Sequence, residues 1–194
     1  MPITYKNRTG DIYYLKQKES KTGKPRYFFS KNIGGNLPSK IPDGFEIYEH
    51  PNAQVFLRKK LVSKIKPEEI DLCKNRFDKI CQFNEKALIV DYKQNEIIIH
   101  FSEQIAYLPP IPEEQYRSKK DIDKLVVALF SNAIYLPMLK FILVDEDNRL
   151  FITERFCFLG GIDDWMEIGS ADKLTHLIDT YGKHLGEESF FDLI

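Results

Sequence analysis

The sequence predicts an α+β fold: a small N-terminal antiparallel β module, followed by an α+β domain with antiparallel hairpins and three helices. Three observations lead there. The first sixty residues carry short aromatic-rich runs separated by turn residues, the pattern of strands. Beyond Pro67, apolar residues recur at helical spacing in three stretches, with pairs of β-prone runs between them. The charge also changes sign near that point. Residues 1–66 hold 14 Lys+Arg against 5 Asp+Glu, a net of +9, and residues 67–194 hold 14 against 24, a net of −10, within a chain of net charge −1. Such asymmetry points to two modules with different partners, or to modules that meet each other. The predicted division is a basic β module over 1–63 and an acidic α+β domain over 67–194.

In the first module, Ile12–Leu15 and Arg26–Phe29 are β-prone, and the Glu19–Pro25 segment between them is turn chemistry, giving a hairpin with a long basic tip. A loop follows through Gly34-Gly35-Asn36. Pro42-Asp43-Gly44 predicts a turn with proline at its second position and glycine at its fourth. Phe45 and Ile47 then alternate in a third strand, and Val55 with Leu57 in a fourth that ends at Arg58-Lys59-Lys60.

In the second domain, Pro67 suits the first turn of a helix and Glu68-Glu69 complement its dipole. Ile70, Cys73, Phe77, Ile80 and Cys81 supply the apolar face. Strands are predicted over Ala87–Tyr92 and Ile97–Phe101, then a stiff proline-rich connection over 108–112. A second helix is predicted from near Ser118 to Ile134, stopped by Pro137. Leu139–Val144 and Leu150–Phe156 predict another hairpin, Trp165–Ile168 a short strand, and Ala171–Leu185 a last helix ended by Gly186. The order favours an antiparallel sheet with helices packed on one face, not a doubly wound nucleotide fold.

Hydrophobic residues make up 43% of the chain and aromatics 13%, ample for a packed core. Met1–Lys6 lacks the apolar run of a leader, and no apolar segment approaches the ~20 residues of a spanning helix. Cys73, Cys81 and Cys157 are an odd set without CxxC spacing, which argues against disulfides and structural zinc and for a reducing, cytoplasmic setting. Cys73 and Cys81 are expected as buried structural thiols.

The basic hairpin carries the functional expectation. Lys16, Lys18, Lys21, Lys24, Arg26 and Lys31 are interleaved with Tyr13, Tyr14, Tyr27, Phe28 and Phe29. Cations neutralise phosphates, and aromatic faces stack on exposed bases. The residues expected to bind nucleic acid or another polyanion are Lys18, Lys21, Lys24, Arg26, Lys31, Arg58 and Lys59. The competing readings are that strand aromatics are core, that loop lysines serve solubility, and that the basic module docks on an acidic protein surface.

Catalytic signals are thin. Asp163 and Asp164 are adjacent, so an extended strand would send them to opposite faces. His176 and Asp172 stand four apart on the predicted last helix, where a solvated pair is ordinary. There is no GxSxG, HExxH or phosphate-loop motif. No catalytic residue, metal site, cofactor or membrane contact is expected, and an enzyme with a dispersed site in the second domain stays as the further alternative.

The first sixty residues also resemble the N-terminal module of an uncharacterised bacterial protein family. The likeness is carried by Tyr14-Leu15, by Lys21-Thr22-Gly23-Lys24-Pro25-Arg26-Tyr27-Phe28-Phe29-Ser30-Lys31, by Ile41–Glu49 and by Pro51–Lys59. It covers about a third of the chain, implies a bacterial source and carries no activity or site with it.

Overall fold

A computed structural model describes residues 1–194 except 82, 109–127 and 159–162. The described residues form an α+β structure of ten strands in three antiparallel sheets with four helices. The chain divides into two compact units, Met1–Lys60 with Pro112–Asn132, and Leu61–Ile111 with Ala133–Ile194.

The first unit holds a three-stranded sheet in the order β1 (Thr4–Lys6), β2 (Ile12–Glu19), β3 (Pro25–Ser30), and a two-stranded sheet of β4 (Phe45–Glu49) and β5 (Val55–Lys59). β1 is an addition to the four predicted strands; it is only three residues long, too short to show alternation. The β2–β3 tip closes with Gly23 N–H donating to Ser20 O at 2.9 Å and Ser20 N–H to Lys24 O at 2.8 Å. Gly23 has φ +75°, the left-handed conformation that a type I turn with a following bulge requires. The β4–β5 connection repeats this geometry with Ala53 at φ 61°. The Pro42 turn is displaced by one position from the sequence reading. Phe45 N–H bonds Pro42 O at 3.1 Å, so Pro42 is first and Gly44, at φ 78°, is third.

Leu15, Ala53 and Val55 are buried in this unit, and buried Asn7 ties its turns together. Asn7 Nδ2 donates to Ala53 O at 2.8 Å, while its Oδ1 accepts from Asp11 N–H at 2.7 Å and from the Thr9 hydroxyl at 2.9 Å. A buried amide satisfied on both sides avoids the desolvation penalty that an unpaired one incurs.

The second unit is built on a five-stranded meander, β10-β9-β8-β7-β6, comprising β6 (Leu88–Lys93), β7 (Glu96–Phe101), β8 (Leu136–Asp145), β9 (Leu150–Phe158) and β10 (Asp163–Lys173). Helix α1 (Pro67–Ile80) precedes β6, α2 (Glu103–Ala106) follows β7, residues 128–132 are helical (α3), and α4 (Leu174–Tyr181) follows β10. Alternation sorts Ile97, Ile99, Leu139, Phe141, Phe151, Thr153 and Ile168 to one buried face. The buried residues Ile70, Cys73 and Phe77 of α1 and Leu174, Leu177 and Ile178 of α4 complete that core.

Three predicted boundaries shift. The strand expected over Trp165–Ile168 runs over eleven residues, Asp163–Lys173, with a register shift between Ile168 and Asp172 that accommodates Gly169 at φ 69°. The last α-helix therefore begins at Leu174, leaving Asp172 on the strand. Pro137 lies inside β8, paired with His100 where the β7–β8 register shifts, which is how a proline enters a central strand. The proline-rich connection past Leu108 and most of the predicted second helix lie outside the described residues.

The entry to α1 is pinned by both hairpin turns of this sheet. Lys64 N–H bonds Gln94 O at 2.7 Å, the Lys64 ammonium pairs with Glu146, and Arg149 Nη2 donates to Lys64 O at 3.1 Å. The Arg149 guanidinium forks onto Glu69, with Nε donating to Oε1 at 2.8 Å and Nη2 to Oε2 at 2.5 Å.

Candidate functional site: the cationic face of the amino-terminal sheet

The register of the three-stranded sheet decides which charges share a surface. β2 pairs with β3 as Tyr14↔Ser30, Lys16↔Phe28 and Lys18↔Arg26, and with β1 as Thr4↔Tyr14 and Lys6↔Ile12. Directly opposed residues in an antiparallel pair share a face. One face therefore carries Lys6, Lys16, Lys18 and Arg26 with Ile12, Tyr14 and Phe28. The opposite face carries Tyr13, fully buried Leu15, Gln17, Glu19, Tyr27 and Phe29. Asp11 precedes β2, and Glu19 lies on the Leu15 face, so none of these three strands places a carboxylate on the cationic face.

Lys6, Lys18 and Arg26 are exposed, whereas Tyr14, Lys16 and Phe28 are half-buried. Lys18 Nζ stands 5.6 Å from the centre of the Phe28 ring, a cation–π separation. Among the described residues, no carboxylate forms an ion pair with Lys6, Lys16, Lys18, Lys21, Lys24 or Arg26. Beside the tip is an open depression of about 640 Å³ lined by Lys18, Glu19, Ser20, Lys21, Arg26 and Phe28.

The seven residues expected from sequence thus fall into three sets. Lys18 and Arg26 stand directly opposite each other on the cationic face, with exposed Lys21 and Lys24 in the turn that joins their strands. Lys31 pairs with Asp11 at 2.7 Å and lies 5.7 Å from the Tyr13 ring centre. That hydrogen bond raises the Lys31 pKa above its ordinary value and lowers that of Asp11. Arg58 belongs to the separate β4–β5 sheet, where it pairs with Glu46 at 2.8 Å and stacks 4.1 Å from the Tyr48 ring centre. Lys59, exposed, is its neighbour on the strand and so points to the other face. Lys6 was missed with β1, and its signal was the β-prone Ile3-Thr4-Tyr5 ahead of it.

The residues weighed for catalysis are dispersed. Asp163 and Asp164 open β10 opposite Phe158 and Cys157 on alternate faces. His176 Nδ1 lies 2.5 Å from Asp172 Oδ2; this contact, the largest cause, holds the Asp172 carboxyl below its ordinary pKa. Burial pushes the thiols of Cys73 and Cys81 up to about 12, so both are poor nucleophiles near neutrality. Two concavities of the second unit, of about 460 Å³ beside Cys81 and Tyr107 and about 420 Å³ beside Phe101 and Phe191, are lined by none of Asp163, Asp164, Trp165 or His176. Among the described residues, no three His, Cys, Asp or Glu side chains are grouped to hold a metal ion. No described helix is long and apolar enough to cross a membrane.

What the geometry defines is an α+β protein in whose first unit three described strands present a cationic, aromatic face to which they contribute no carboxylate. No family model, curated protein or solved structure matches this chain.

Proposed function

We propose that the protein binds a polyanion, nucleic acid above all, on the cationic face of the three-stranded sheet. One observation carries the reading: register places Lys6, Lys16, Lys18 and Arg26 on one face, and none of the three strands adds a carboxylate to it, Glu19 lying at the edge of the adjoining depression. Like charges directly opposite one another destabilise a strand pair. Lys18 facing Arg26 therefore costs the fold stability, and an anionic ligand offsets that cost. Lys21 and Lys24 extend the positive surface past the strand ends. Lys31 and Arg58 have carboxylate partners of their own and contribute less, and the absence of an assembled nucleophile or metal-ligand set among the described residues favours binding over catalysis.

The test is the salt dependence of binding by the full chain, followed by fluorescence anisotropy with a labelled oligonucleotide. Counterion release makes log K fall with log salt, by about 0.7 to 0.9 per neutralised phosphate. Changing Lys21, Lys24 and Arg26 together to Ala is expected to flatten the slope by roughly 2 to 3. Binding that ignores salt, or a slope the triple variant leaves unchanged, rejects the reading. A protein as purified that absorbs at 260 nm beyond its own chromophores is a further expected sign.

A further inference from the structure

We infer that the ligand of this face is single-stranded nucleic acid, a track of about four nucleotides whose bases stack on Phe28 and Tyr14. The inference rests on the polyanion reading and narrows it to one ligand class.

The argument begins with the aromatics. Polyphosphates and sulfated sugars have no rings to stack, and a duplex keeps its bases stacked on one another, so a site for these needs only cations. Here Tyr14 and Phe28 sit on the cationic face itself, side by side with Lys16 and Lys18 on β2 and with Arg26 on β3. Both rings are half-buried, so each leaves surface to offer. The other face holds the fully buried Leu15, with Tyr13, Tyr27 and Phe29 half-buried around it, so it is position beside the cations that sets Tyr14 and Phe28 apart.

Spacing supplies the second argument. A nucleotide presents a flat base and a charged phosphate one sugar apart. Lys18 Nζ lies over the Phe28 ring, 5.6 Å from its centre, so a base stacking there displaces the flexible ammonium towards the neighbouring phosphate and uses both groups at that short range. The adjoining depression of about 640 Å³ is within the volume of small-ligand pockets and has Arg26 and Lys21 on its wall. From Ile12 to Lys18 the face extends about 20 Å at ~3.3 Å per residue, which suits a short track at the lower end of the ~4 to 16 nucleotides that one OB-fold covers.

The full-length chain is titrated with labelled oligothymidines of about two to twelve nucleotides, with a hairpin duplex of matched phosphate number, and with inorganic polyphosphate. The single strand is expected to bind at least about tenfold more tightly than the duplex, with affinity rising steeply up to about four nucleotides and only statistically beyond. Phe28→Leu is expected to weaken single-strand binding by about 5- to 150-fold, the worth of one stacked base, and to leave the salt slope unchanged. Lys18→Gln should do the reverse, lowering the slope by about 0.7 while the preference for the single strand persists. If Phe28→Leu does not fold, photocrosslinking of the unaltered protein to 5-iodouracil oligonucleotides decides, with adducts expected on peptides containing Phe28 or Tyr14. Adducts confined to other segments, or a duplex bound as tightly as the single strand, overturn the stacking inference and leave the polyanion reading standing. Salt-dependent binding to none of the three probes overturns both.

Discussion

The two main sheets of this protein treat positive charge in opposite ways. In the second unit, four cations pair with carboxylates of the same unit, Lys140 with Glu154, Arg149 with Glu69, Arg76 with Asp179 and Lys64 with Glu146, while buried Arg155 is held by the carbonyls of Phe191 and Leu193. Several of these are well shielded; the side chains of Lys140 and Glu154 are only 12% and 18% exposed. In the three-stranded sheet, Lys6, Lys16, Lys18 and Arg26 line one face without such partners among the described residues. Paired charge holds elements together, and unpaired like charge works against the sheet that carries it. The difference separates charge paired within the fold from charge without a carboxylate partner among the described residues, the set on which the proposed polyanion site rests.

The comparison breaks most visibly under alanine substitution. Arg149→Ala strips Glu69 of its bidentate partner and frees Lys64 O. Because the pair is partly exposed, the expected loss is about 2–3 kcal/mol, below that for a fully buried pair. Urea unfolding followed by Trp165 fluorescence measures it, since the only tryptophan lies in the second unit on β10. Lys18→Ala and Arg26→Ala should fall within about 0.5 kcal/mol of the unaltered protein, or gain slightly, when followed by near-ultraviolet circular dichroism of the tyrosines. Losses of similar size in both units would erase the distinction.

Packing in the second unit gives the next largest effect. A Cβ on Gly182 would lie 2.8 Å from Phe77 Cε1 and 3.0 Å from Ile80 Cδ1, between α1 and the turn after α4. Gly182→Ala is expected to cost about 1–3 kcal/mol through overpacking, read from the same urea curve. Acid should act next. The hydrogen bonds from Arg76 hold Asp179 below its ordinary value of 3.8. The charged carboxylate is thus favoured in the fold, its contribution is complete above 3.8, and it is lost as pH falls through the lowered value. Trp165 fluorescence should stay flat from neutrality to about pH 4 and change below it, and Asp179→Asn should blunt that change. The smallest effect belongs to Ala53, at φ 61°. Ala53→Gly relieves left-handed strain but adds unfolded-state freedom, so a gain of at most about 0.5 kcal/mol is expected by thermal melting.

Much of this architecture was legible in the sequence because its signals are local. Apolar recurrence from Ile70 to Phe77 marks α1, and the β2–β3 hairpin follows from two aromatic runs around Ser20–Lys24. Elements that depend on distant partners were not legible. β1 is three residues that become a strand only by pairing with Ile12–Tyr14, and Pro137 reads as a breaker until a register shift opposite His100 accommodates it. The candidate site divides on the same line. Sequence proximity gathered Lys18, Lys21, Lys24 and Arg26, which the hairpin does bring together. It also gathered Lys31 and Arg58, whose neutralising partners Asp11 and Glu46 lie 20 and 12 residues away and emerge only once the strands pair.

The pinning of residues 63–66 by two hairpin turns has a practical corollary for proteolysis. Val62, 89% exposed, stands just ahead of that clamp, and the peptide bond after Lys60, past the end of β5, is open to trypsin in a way that the one after Lys64 is not. A brief digest should nick the chain there first, marking in a gel lane the point at which one compact unit hands over to the next.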